Sequence, residues 1–568
     1  VTQEWEFAEH AEGTETTFVA LATRIVDGLL ARDPVEATSL GDHRFDDRLP
    51  DLSSEGVEES LSTIEHALSA VDQVDDLALG IASAVDLEIL RSRLLGQKLE
   101  LDTLGEHRWN PLVVNPGTAV YLLLARDFAP AAERARSLLG RLEAIPPALA
   151  LARESRDPMP RVHVETAVGQ FRGTSSMLHT QLDPLLDADP ALRPALEAAR
   201  TSAAGALGQH VGWLQDALDS DHATRDPRLG PERFAAKLWA TLDAHLTPDQ
   251  VLERAESDLI RLEGEIARAA AEYLGEAEPA PDDSGAVVRR ALDAVAVEGP
   301  VDDGTVLPLC RDAFAATTAF VRDHDLVTIH DDPVEIVEMP EIHRGVAVAY
   351  CDPPGPLETA DLPTFFAVSP TPTEWDAGRK ASFFREYNAR MLHNLTVHEA
   401  MPGHVLQLAH SRRASVTTPV RQAFWSGPFV EGWAVYAEAL MVERGYDAGL
   451  GERAALAIRL QQLKMQLRMT INAILDVRVH TRGMTEAEAM RLMQVRGHQE
   501  EGEAVGKWRR ALLTSTQLST YYVGYVAVHD LVRDLRAANP GWSDRQVHDA
   551  VLAHGSPPPR HLRTLLGI

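Results

Sequence analysis

Apolar positions recur at three- and four-residue spacing along most of the chain, in stretches rich in Ala, Leu, Glu and Arg. That period is the mark of amphipathic helices. Glu15–Ala31 and Ser53–Ala70 read as helices, as does Asp86–Leu101, with Leu87, Leu90, Leu94 and Leu95 on one face. Ala131–Glu143 follows Pro130, and Asp189–Asp219 forms a longer one whose regular part starts near Pro194. Thr247-Pro248-Asp249-Gln250 supplies a cap and a first-turn proline for a helix reaching about Tyr273. The pattern changes between about 325 and 369. There Val334–Met339, Val346–Tyr350 and Phe365–Val368 are short, β-branched or aromatic, and broken by Pro and Gly, which predicts a small sheet or hairpin. Helix returns from about Thr373. The expected fold class is mainly α, in two lobes.

A chain of 568 residues exceeds what one small core needs. Glu276–Gly285, with two prolines and four acidic residues, is the most linker-like stretch. It suggests an N-terminal helical lobe over 1–275 and a second lobe over 276–568 that carries the sheet. No apolar run reaches the roughly 18 to 20 residues of a membrane-spanning helix. The net charge of −31 argues against nucleic acid or an anionic membrane as partner. Two cysteines, Cys310 and Cys351, make no disulfide framework and suggest ordinary thiols in a cytoplasmic protein.

Candidate chemistry concentrates in His398-Glu399-Ala400-Met401-Pro402-Gly403-His404. Two imidazoles and an adjacent carboxylate are what a hydrolytic zinc site needs: neutral ligands, and a base for the attacking water. The usual zinc helix spaces its histidines at i and i+4. Here they stand at i and i+6, which on an unbroken helix leaves them roughly 120° apart. Pro402 and Gly403 offer a remedy, because a bulge over Met401–Gly403 would absorb two residues and return His404 to His398. The alternative is two ordinary histidines and no metal. His393 and His410 read as incidental neighbours. Downstream, Glu431-Gly432-Trp433-Ala434-Val435-Tyr436-Ala437-Glu438 places Glu431, Val435 and Glu438 on one helical face. Either glutamate can point at the site. Glu431 is the preferred third ligand, and Glu438 the preferred partner that orients a histidine.

HEAMPGH and EGWAVYAE resemble the paired motifs of the bacterial family known as domain of unknown function 885. The resemblance extends to Ser39–Asp51, to Tyr350–Gly355 and to Gln517–Gly524, and so spans most of the chain. The family is in turn similar to helical zinc peptidases of the gluzincin type, such as thimet oligopeptidase, angiotensin-converting enzyme and the thermostable carboxypeptidases. The resemblance implies a two-lobed helical fold with a central channel. It also implies Zn²⁺ on His398, His404 and Glu431, with Glu399 as general base. Tyr521 falls on a family tyrosine that would stabilise an oxyanion. His480, four residues after Asp476, would assist it or merely pair with that aspartate. Arg510 falls on a family arginine that would hold a substrate carboxylate or serve as an ion-pair partner. Arg478 stands where a glycine is common. The expected activity is a zinc metallopeptidase acting on short or modified peptides. A metal-dependent esterase or amidase on a small molecule, and a non-catalytic helical binding protein, are the rival expectations.

Overall fold

The computed structural model describes residues 14–154, 157–339, 348–373 and 375–568. Among the described residues the chain is mainly helical, with one three-stranded sheet. Among the described residues no helix is long and apolar enough to cross a membrane.

Contacts divide the chain into two compact units. The first runs to Pro227 and takes in two later segments, Pro354–Leu362 and Thr417–Phe424. Its principal helices are α1 (Thr14–Arg32), α2 (Pro34–Leu40), α3 (Ser54–Val71), α4 (Ile81–Lys98), α5 (Ala131–Ala152), α6 (Arg161–Thr180) and α7 (Arg193–Leu218). Ser53 caps α3 by accepting the Gly56 N–H, and α7 starts at the residue before Pro194. α5 outruns its expected end because Leu142, Ile145 and Leu149 continue the buried stripe past Glu143. α6 was not anticipated.

The two later segments are tied to this unit by polar side chains. His43 bridges Asp46 and Glu358, its Nδ1 and Nε2 each 2.9 Å from a carboxylate oxygen. Burial disfavours the charged ring, but these two carboxylates outweigh it and raise its pKa. Leu357 N–H donates to the Leu40 carbonyl at 2.8 Å. A Cβ on Gly355 would stand 2.2 Å from the Leu40 carbonyl carbon, so only glycine fits there. The 39–51 motif is therefore fastened to Gly355, Leu357 and Glu358 within this unit. On the other segment, Arg421 Nε donates to Asp86 at 2.6 Å, with both side chains enclosed.

The second unit comprises Arg228–Pro353, Pro363–Val416 and Trp425–Ile568. It contains α8 (Pro231–Leu242), α9 (Pro248–Leu274), α10 (Ser284–Glu298), α11 (Val306–Asp323), α12 (Ala377–Glu386), α13 (Ala389–Glu399), α14 (His404–Arg413), α15 (Gly427–Glu443), α16 (Glu452–Arg482), α17 (Glu501–Leu513), α18 (Ser519–Ala538) and α19 (Asp544–Leu552). Thr247 and Gln250 close a reciprocal capping box on α9, and Gly275 ends that helix in the left-handed region at φ 70°. The linker-like stretch after it lies inside this unit. It is a short turn that lets α10 fold back on α9. The units part at 227/228 rather than near 276.

The sheet holds β1 (Val334–Glu338), β2 (Ala349–Asp352) and β3 (Thr364–Val368) in the order β1-β3-β2. β1 is parallel and β2 antiparallel to β3. All three overlap the stretches picked out by their β-branched and aromatic residues. Val346 and Arg344–Ala347 as a whole lie outside the described residues, so only the latter part of the expected second strand can be compared. α16 is buried on most of its circumference and runs through the core of the unit. α15 crosses α18 at a pair of glycines: a Cβ on Gly432 would meet Gly524 backbone at 2.3 Å, and one on Gly524 would meet the Pro428 carbonyl oxygen at 2.0 Å. That crossing brings the start of α18 against the start of α15.

Asp86→Ala is expected to lower stability by about 3–5 kcal/mol, because it removes the enclosed carboxylate that faces the Arg421 guanidinium. Denaturant titration of the variant checks this.

Candidate metal centre

α13 ends at Glu399 and α14 begins at His404, so the helix is broken and not merely bulged. The reversal is held by backbone bonds that skip the usual register. Met401 N–H donates to the Thr396 carbonyl at 3.2 Å, and Gly403 N–H to the Val397 carbonyl at 2.9 Å. The Pro402 carbonyl accepts the Trp433 indole N–H at 2.8 Å. Pro402 brings no N–H of its own to satisfy, and Gly403 lies where a Cβ would stand 1.8 Å from the His398 carbonyl oxygen. The outcome is the one the expected bulge was to give: the imidazoles of His398 and His404 meet, ring centres 4.8 Å apart and nearly perpendicular.

Glu431, in the first turns of α15, faces both rings. Its Oε2 is 3.4 Å from His398 Nε2 and 3.7 Å from His404 Nε2. One ligand atom from each of the three residues lies within 4.8 Å of the others, and among the described residues no other group of this kind is found. Glu431 Oε2 is sealed from solvent and makes no hydrogen bond. Burial would raise the Glu431 pKa, but the two imidazoles override it and hold the carboxyl well below the ordinary range.

Glu438, two turns further along α15, behaves differently. It is enclosed, and its Oε1 lies 2.7 Å from His398 Nδ1. Its Oε2 accepts the Asn394 amide at 2.7 Å. This pairing keeps a proton on His398 Nδ1 and aims Nε2 at Glu431. Burial acts against a charged His398 ring, yet Glu431 and Glu438 together raise its pKa well above the usual histidine value. Glu399 is also enclosed, and its Oε2 accepts the Cys351 N–H from β2 at 3.1 Å. Burial lifts its pKa above the ordinary glutamate value.

Tyr521 stands at the start of α18, close enough to Glu431 for that carboxylate, after burial, to help push its pKa up to about 12. Its hydroxyl accepts from Arg510 at 3.3 Å and from the Gln517 amide at 3.5 Å. Arg510 also donates to Gln517 Oε1 at 2.8 Å.

His480 does not share this arrangement. Its Nε2 lies 3.0 Å from the carbonyls of Ala511 and Thr514, and its Nδ1 accepts the Leu229 N–H at 3.3 Å. With both nitrogens taken by backbone, neither remains for an oxyanion. Asp476 makes its hydrogen bonds to Thr516 N–H and to the N–H and hydroxyl of Ser519, not to His480. Together the two residues fasten the loop that leads into α18, and so set Tyr521 indirectly. His393 and His410 are occupied elsewhere, by the Tyr446 hydroxyl and the Thr328 carbonyl.

Three contributors were not singled out from the sequence: Asn394, Trp433 and the Cys351 N–H. Asn394 lies one turn before His398, a spacing that could have flagged it. The Cys351 N–H acts through backbone and leaves no trace in side-chain identity.

The model of the family described as "Bacterial protein of unknown function (DUF885)" matches residues 34–566, and the chain belongs to that family. Two solved structures share the fold. One is titled a putative lipoprotein of unknown function from Shewanella oneidensis. It is 28% identical, with a TM-score of 0.81 over 97% of this chain and 100% of that one. The other is titled the putative lipoprotein from Colwellia psychrerythraea. It is 16% identical, with a TM-score of 0.79 over 98% of this chain and 99% of that one. No curated protein matches the sequence.

Gly403→Ala is expected to lower the melting temperature through the backbone clash at the reversal, at a cost of about 1–3 kcal/mol or more. Differential scanning calorimetry reads it directly.

Proposed function

We propose that the chain is a zinc-dependent hydrolase that cleaves short or modified peptides. The observation that carries this reading is the donor set: His398, His404 and Glu431 converge, with a sealed carboxylate oxygen that has no hydrogen-bond partner. An uncompensated buried acceptor is costly. Two nitrogens and one carboxylate oxygen are the protein ligands of a catalytic zinc site that keeps a fourth position open. Zinc held there would polarise a substrate carbonyl and acidify a water.

The remaining roles belong to the chain's own groups. Glu399, adjacent to a ligand and not spent on one, would take the proton of the attacking water and return it to the leaving amine. The Cys351 N–H fixes one of its oxygens and leaves the other free for that proton. Glu438 keeps His398 in the tautomer that offers Nε2. Tyr521 accepts from Arg510 and Gln517, so its own hydroxyl proton is available to an oxyanion formed nearby. The peptide substrate follows from the resemblance of the two central motifs to helical zinc peptidases, and an ester or non-peptide amide substrate would use the same groups. As for its setting, the two solved relatives carry lipoprotein titles, which favours an extracytoplasmic site of action over the cytoplasmic one expected from cysteine usage.

Zinc analysis by mass spectrometry, with peptide hydrolysis on the same samples, tests the reading. About one zinc per chain is expected in the wild type, and little in His404→Ala. Wild-type protein that takes up no transition metal on titration would leave only a binding scaffold. Glu399→Gln should keep its zinc and lose about 10²-fold or more in kcat. Glu438→Gln should weaken zinc binding about 10- to 100-fold, measured by competition with a chelating dye.

A further inference from the structure

The His43 bridge lies in the first unit and takes no part in the hydrolysis proposed above. Its geometry carries a proton requirement. Both ring nitrogens stand 2.9 Å from carboxylate oxygens, Nδ1 from Asp46 and Nε2 from Glu358. Each contact at that separation needs a proton between nitrogen and oxygen, and an imidazole brings two only when it is charged. The two carboxylate side chains are 5% and 6% exposed, so water screens the contacts little. The other groups around the ring are engaged among themselves. Phe128 stacks on it, ring centres 3.7 Å apart. On the ring's own turn, Arg44 is paired with Asp42 and Asp27. From α5, Arg141 lies 3.9 Å from the other Asp46 oxygen, which also accepts the Thr38 hydroxyl at 2.6 Å. Arg134, also on α5, faces the Phe128 ring at 5.9 Å. The second Glu358 oxygen accepts the Ala360 N–H at 2.8 Å.

The two ends of the bridge differ in origin. Asp46 follows His43 by three residues, whereas Glu358 belongs to the distant segment Pro354–Leu362. With that segment away, the ring keeps Asp46 and loses Glu358. Closing it strengthens the ring's hold on a proton, and by linkage a proton on the ring favours closing. We propose that His43 is a pH-sensitive latch: its protonated ring holds the Pro354–Leu362 segment, and rising pH loosens it. Burial opposes the charged ring, but Asp46 and Glu358 outweigh it and set its pKa above the ordinary histidine value. The segment is therefore held fully at and below that ordinary value, and loosens as pH rises through the raised one. It begins two residues after β2, the strand whose Cys351 N–H holds Glu399, so the latch acts on chain that runs directly out of that strand.

Backbone packing is the rival. Leu357 N–H donates to the Leu40 carbonyl, and Gly41 and Gly355 lie close against the facing backbone, none of which depends on a proton. If that packing alone held the segment, its hold would not change with pH.

Hydrogen exchange of the full chain tests this, read by mass spectrometry and corrected for intrinsic rates, between about pH 6 and about pH 9. Protection of peptides from the segment is expected to fall with rising pH, about tenfold for each unit by which closing raises the His43 pKa. Peptides from α5 should keep theirs. Glu358→Gln should leave the segment protected and flatten its pH profile, because an amide can donate to the lone pair of a neutral ring. His43→Gln, neutral throughout, should give a flat profile at lower protection. Wild-type protection that does not change with pH assigns the hold to backbone packing and overturns the proposal. A fall of the same size in either variant overturns it too, as does a fall shared by α5, which reports unfolding of the whole unit. Neither zinc binding nor peptide cleavage enters the readout, so failure here leaves the hydrolase reading untouched.

Discussion

The close approach of Gly403 to the carbonyls of Val397 and His398 is the constraint on which the centre depends. A helix that continued through this point would carry His404 away from His398. Breaking it costs backbone hydrogen bonds, and the structure replaces them locally: Met401 and Gly403 donate back to Thr396 and Val397, and Trp433 donates to Pro402. The last of these bonds comes from α15, the helix that also carries Glu431 and Glu438. One side chain therefore fixes the position of the reversal relative to the helix that supplies the carboxylates.

The electrostatics follow from that geometry. His398 lies between two carboxylates of different character. Glu438 is fully hydrogen-bonded and acts on Nδ1, while the Glu431 oxygen that faces Nε2 has no hydrogen bond of its own. Enclosing so many ionisable groups opposes folding unless each finds a partner. Glu438 finds two. Glu431 has only the electrostatic attraction of two imidazoles, which a cation would strengthen. The glycine crossing of α15 and α18 sets Tyr521 beside the same carboxylate.

Much of this was legible in the sequence because local chemistry dictated it. Thr247 and Pro248 declare a helix start, and the short strands stand out by their β-branched and aromatic residues. The six-residue histidine spacing, together with Pro402-Gly403, called for a local bulge, and the helix ends there instead. Its form was less legible, since whether a helix bulges or ends depends on what receives the freed carbonyls, and Trp433 lies 31 residues beyond Pro402. His480 was misjudged for a similar reason. The Asp476-to-His480 spacing suggests a pair, but backbone groups from distant loops claim both side chains. The linker-like composition after Gly275 signalled a turn and not a boundary, since α9 and α10 pack on each other across it.

Whether His398, His404 and Glu431 hold one metal ion together can be read at the metal itself, by X-ray absorption at the zinc edge on wild-type protein titrated to one equivalent. Two nitrogen ligands and carboxylate oxygen at about 2.0–2.2 Å are expected, with the imidazole scattering signal falling in His404→Ala. A zinc shell of water oxygens alone, unchanged by that substitution, would contradict it.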